Sequence, residues 1–132
     1  MYLLLSCLLM ILPASPKRDT PEKLLCRTWV LEKVDILWTK SERASYSEYD
    51  TLHFYPDNTC TFVTVNSGFG FPVKMKWNFE VDHQYLVISF EQDGVVNTSH
   101  FMIMRELTRK KMVYHIFLED RLVEVTFKAL PG

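Results

Sequence analysis

The chain has 132 residues, a formal net charge of −1, 48% hydrophobic and 14% aromatic content. That is one domain with enough apolar mass for a packed core, which excludes a disordered or fibrous chain. Its basic residues cluster only at Lys17-Arg18 and Arg109-Lys110-Lys111, which read as a solvated flank and turn, so no nucleic-acid partner is expected.

The chain opens on MYLLLSCLLMILP (Met1 to Pro13), almost wholly apolar, then Ala14 and Ser15, then PKRDTPEK. About a dozen apolar residues are too few to span a bilayer but suit the core of an export signal. Residues 1–15 therefore read as a signal peptide or apolar N-terminal segment, 16–23 as a linker and 24–132 as the folded domain. Pro16 obstructs cleavage after Ser15, which favours a cut after Ala14. Against a signal, no Lys or Arg precedes the apolar run. LLSC (Leu4 to Cys7) resembles a lipobox, whose cysteine is lipidated, although here the apolar run continues beyond Cys7. The expected location is the periplasm, the cell envelope or the exterior, with a membrane engaged only through a lipid anchor at Cys7.

From about residue 24 onward the apolar period is two, the signature of strands rather than helices. KMKWNFEV (Lys74 to Val81) puts Met75, Trp77, Phe79 and Val81 on one face and Lys74, Lys76, Asn78 and Glu80 on the other. LVEVTFK (Leu122 to Lys128) sorts Val123, Val125 and Phe127 from Glu124, Thr126 and Lys128. Turn residues separate such runs: PDN at 56–58, DH at 82–83, DG at 93–94 and ED at 119–120. Eight strands follow, at about 28–38, 51–55, 59–65, 72–81, 84–91, 95–105, 111–118 and 121–129, with no capped helix among them. Short links and even spacing predict an up-and-down meander, and eight strands remove their open edges by closing into an antiparallel β-barrel. The predicted inward set is Trp29, Leu31, Leu52, Phe54, Phe62, Met75, Trp77, Phe79, Leu86, Ile88, Phe90, Ile103, Val123, Val125 and Phe127. Phe101–Met104 and Val113–Phe117 are apolar on both faces and leave their register open.

With Cys7 in the leader, Cys26 and Cys60 remain, and each sits among apolar residues at a strand start. An exported pair can form a disulfide, while apolar surroundings favour free thiols acting as small hydrophobes. No CxxC or Cys/His cluster is present, so neither zinc nor any other cofactor is expected.

LCRTWVL (Leu25 to Leu31) followed by LHFYPDNTCTF (Leu52 to Phe62) resembles the short bacterial lipocalin-like domains. In that family a Gly-x-Trp start on strand one precedes a second strand and turn of the form L-x-F-x-x-D-G-T-x-x-F. Trp29, Leu52, Phe54, Asp57, Thr59 and Phe62 match, while Arg27 and Asn58 replace glycines. Asn tolerates a left-handed turn, so the second departure is mild. The resemblance covers about residues 24–129 and implies a calycin-type barrel. It also implies that Trp29 plugs the closed end.

Alternate loops of a meander lie at one end. Loops at about 39–50, 66–71, 92–94 and 119–120 form the mouth, opposite Trp29. NSGFGF (Asn66 to Phe71) brings two aromatics there. The candidate ligand-binding residues are Phe69 and Phe71 at the mouth and Trp38, Met75, Trp77 and Phe90 inside it. The expected partner is a small hydrophobic or amphipathic ligand held by a monomer. The alternative is a filled barrel working at the envelope through protein contacts, with Val113, His115 and Phe117 on its outer face. No GxSxG, HExxH, GxGxxG or phosphate-loop motif occurs, and the chain does not read as an enzyme. The strand histidines His53 and His115 are expected to face solvent.

Overall fold

A computed structural model describes residues 19–39, 50–64, 69–118 and 121–131. Eight strands run in chain order: β1 (Thr28–Thr39), β2 (Thr51–Phe54), β3 (Thr59–Thr64), β4 (Phe69–Glu80), β5 (Tyr85–Gln92), β6 (Val95–Leu107), β7 (Lys111–Leu118) and β8 (Arg121–Ala129). Each pairs antiparallel with the next, and β1 pairs with β8, closing the barrel. This is the predicted fold class.

One helix was not anticipated. α1 (Pro21–Leu25) is a single turn with Thr20 as its N-cap, whose hydroxyl accepts from the Lys23 amide at 3.3 Å. Pro21 has no N–H to leave orphaned at a first-turn position, and Glu22 favours the positive end of the turn. Five residues are too few to show a helical period, which is why the sequence pattern missed them. Leu25, its last residue, is fully buried.

The core is one continuous cluster that includes Leu25, Trp29, Leu52, Phe54, Cys60, Met75, Trp77, Met102, Tyr114 and Phe127. Trp29 has no exposed surface, and its indole Nε1 donates to the Leu25 carbonyl at 2.9 Å. α1 and Trp29 together cap the end of the barrel that also carries the turns at 55–58, 81–84 and 108–110. Asn58 sits at φ 66, so the turn position that resembled a glycine site is left-handed, as expected. Asp57 holds that turn by accepting from the Thr59 amide at 3.0 Å and hydroxyl at 2.6 Å. Both bonds favour the carboxylate and lower its pKa.

Two register findings correct the alternation reading. Met102 pairs with Leu86 and Ile116 on the inner face, and Ile103 pairs with Tyr85 and His115 on the outer face. The inward residue is therefore Met102, not Ile103. The second correction concerns β1, which has two irregularities. One between Leu31 and Lys33 inserts Glu32 and brings Val34 and Ile36 inward against Val125 and Val123; the other, between Ile36 and Trp38, inserts Leu37 and leaves Trp38 opposite the outward Leu122. One inserted residue moves every later side chain to the opposite face.

Candidate functional site

Direct cross-strand partners share a face, so the register sorts side chains between lumen and exterior. Near α1 the lumen is solid. Trp77 is 3% exposed, donates its indole N–H to the Tyr55 carbonyl at 3.1 Å, and meets Phe54 and Phe79 edge-to-face. Met75 pairs with Cys60 and is 6% exposed. Both are core residues of the closed half rather than part of the mouth, because β4 is long and carries them well past its entrance.

The opposite end differs. Ile36, opposite the inward Val123, and Phe90, two residues beyond the inward Ile88, face the lumen by register, yet they are 40% and 37% exposed. Phe90 therefore stands where the lumen meets solvent. Phe69 and Phe71 begin β4 at this end, and Phe69 pairs with Thr64; their side chains lie outside the described residues. Trp38 is not in the lumen: it faces outward, half exposed, opposite Leu122.

Two polar side chains join the inner face of this end. His100 pairs with the inward Ile88, and Arg121 pairs with Leu118 and precedes Val123 on the same face. The Nε of Arg121 is buried. Neither was singled out from the sequence. Alternation from Val123 back to Arg121 carries the signal; His100 lies between the polar Asn97-Thr98-Ser99 and the apolar Phe101–Met104, where the sequence shows no alternation. Among the described residues no three His, Cys, Asp or Glu side chains gather into a metal-holding group.

The thiols of Cys26 and Cys60 are free. Burial pushes Cys60 up to about 12, and burial followed by the nearby Glu22 and Asp57 carboxylates raises Cys26. Neither thiol is poised as a nucleophile.

No family model matches the chain, and no curated protein matches it.

What remains is the geometry: a solid closed half, and an accessible inner rim of Ile36 and Phe90 with a histidine and an arginine on the same face. Apolar walls with a few placed polar groups are the usual make-up of a small-molecule site.

Proposed function

We propose that this chain is a lipocalin-like binding protein that takes one small amphipathic ligand at the open end of its barrel. The carrying observation is the contrast along the lumen. Inward residues of the core cluster are at most 6% exposed, while the inward Phe90 keeps 37% of its surface open. An apolar part of the ligand would cover Phe90 and Ile36, and its polar part would meet His100 and Arg121. The matches at Trp29, Leu52, Phe54, Asp57, Thr59 and Phe62 support the same reading. Export rests on the sequence of residues 1–15 and Cys7, which lie outside the described residues.

The test is binding of a polarity-sensitive apolar dye to the folded chain. The reading expects a saturable signal near one dye per chain, lost in Phe90→Asp or Phe69→Asp and kept in the outward variant Phe101→Asp. A folded protein that leaves the dye dark overturns it.

A second reading has its own observation. On the exterior, Val87 pairs with Phe101, Phe117 with Leu122, and Leu122 with Trp38, and the Met102–Ile116 pair sets Phe101 across from Phe117. This row crosses five strands, with Phe101, Phe117 and Trp38 exposed at 57%, 66% and 51%. Exposed apolar rows of this kind support docking to another protein. Of the outer residues expected to serve this role, only Phe117 is open; Val113 is 6% exposed and His115 faces Glu124 at 3.2 Å. Loss of a captured protein in Phe101→Ser and Phe117→Ser, with no dye binding in the parent, would favour this reading over the first.

A further inference from the structure

At the closed end, remote from the mouth, a groove of about 640 Å³ runs between the start of β1, His53 of β2, the β7 turn and the chain after β8. Arg27, Arg109 and Lys110 line it together with Thr28 and His53, and Cys26, Ala129, Leu130 and Pro131 supply an apolar side. We propose that this groove binds a phosphoryl group carried by an otherwise partly apolar molecule.

The arginine is held in place before any ligand arrives. One Nη of Arg27 donates to the Arg109 carbonyl, and its guanidinium lies 5.8 Å from the Trp29 ring centroid. Its Nε is buried with no hydrogen-bond partner, so the group has donor capacity that the protein leaves unused. A planar guanidinium suits the oxygens of a phosphate better than a lone ammonium does. Thr28 is positioned too: its hydroxyl is 2.6 Å from His53 Nδ1, and His53 stacks on Tyr55.

Charge at this corner is in excess. Asp19 answers Arg109 at 2.9 Å, but no carboxylate of the described residues forms an ion pair with Arg27, Lys110 or Lys128. A bound anion would answer the unpaired charges of Arg27 and Lys110, both of which line the groove. The groove also exceeds the size of a phosphate, and its apolar side of Leu130 and Pro131 fits the remainder of a larger ligand. Arg109 and Lys110, two of the three residues that read from sequence as a solvated turn, are thereby given a role.

A phosphoryl group could be offered by a soluble compound or by a lipid headgroup. The experiment therefore follows the amide resonances of Thr28, His53, Lys110 and Ala129 in the full chain with two probes. One is inorganic phosphate. The other is vesicles of phosphatidylglycerol in phosphatidylcholine, against phosphatidylcholine alone. Saturating shifts with phosphate assign a soluble ligand; binding to the anionic vesicles alone assigns a headgroup. In either case Lys110→Glu, an exposed turn position, weakens binding by about tenfold, Arg27→Gln weakens it further, and Lys33→Glu on a distant outer face changes nothing. If Arg27→Gln does not fold, Lys110→Glu decides alone. The proposal is overturned if neither probe perturbs these amides in folded protein, or if Lys110→Glu binds as the parent does.

Discussion

The indole of Trp29 donates to the carbonyl of Leu25 at 2.9 Å, and both residues are completely buried. This bond joins α1 to the first strand. It explains why a tryptophan opens an alternating apolar run: the residue fills the barrel end and places its own buried N–H on the Leu25 carbonyl, which also accepts from the Arg27 amide at 2.8 Å. Trp29→Phe should destabilise the fold by about 1–3 kcal/mol in urea unfolding. Coupling to Leu25→Ala in a double-mutant cycle should exceed about 0.5 kcal/mol. Additive effects would mean that the helix and the barrel end are independent.

The three tryptophans divide sharply by exposure: Trp29 at 0%, Trp77 at 3% and Trp38 at 51%. Acrylamide should therefore quench Trp38 alone. Trp38→Phe should remove the quenchable fraction and shift the remaining emission to the blue, whereas Trp77→Phe should leave the quenchable fraction in place. A Trp38→Phe protein that quenches like the parent would contradict the outward turn of β1.

Cys60 is a neutral thiol, pushed from 9.0 to about 12 by burial. Its pKa is raised in the folded state, so its contribution is intact below pH 9.0 and is lost as the pH rises toward 12. There the unfolded chain ionises first and is favoured, by up to about 1.4 kcal/mol per pH unit. Cys60→Ala should flatten the alkaline arm of the stability curve, although it lowers stability at neutral pH. In native protein, peptide mapping after iodoacetamide should find Cys26 labelled well before Cys60. Equal labelling would show that the barrel opens readily around β3.

Glu22 lies 2.6 Å from His83 Nε2, bridging α1 to the 81–84 turn, in which Val81, Asp82 and His83 all have positive φ. Its own backbone N–H, then His83, lower its pKa from 4.5. A lowered acid stabilises the fold above its unfolded value and loses that effect as the pH falls. Both side chains are more than a third exposed, so solvent screens the pair, and Glu22→Gln should lower stability by less than about 1 kcal/mol. Melting temperatures taken across acid pH should converge for parent and Glu22→Gln, and added salt should narrow their gap at neutral pH. A gap that widens in acid would show that the carboxylate is not the stabilising form.

The strands were legible because burial on one face forces an alternation that nothing else in a sequence imitates. Seven of the eight strands keep to within two residues of the ranges expected, as with Lys111–Leu118; β4 begins earlier, at Phe69, since glycine and proline near its start concealed its first residues. The site was less legible, for reasons found at particular positions. Glu32 and Leu37 give no sign in sequence that they are extra residues, yet together they decide that Val34 and Ile36 face the lumen and Trp38 does not. His100 sits between the polar Asn97-Thr98-Ser99 and the continuously apolar Phe101–Met104, where no alternation marks a face, so only pairing with Ile88 reveals its own. Met75 and Trp77 were correctly placed inside the barrel, but depth along a strand depends on stagger between neighbours, which one sequence does not encode.

Closure through β1 and β8 has a consequence for assembly. Trp29 pairs with Ala129 and Thr39 with Arg121, so the longest seam joins the two most distant parts of the domain. No ring can form on a growing chain until its last strand has been made. Losing that strand would do more than thin the wall by one stave. It would uncover the unpaired amides of β1 and β7 at once, and the neatest match for those two edges is the same pair of edges on another incomplete copy.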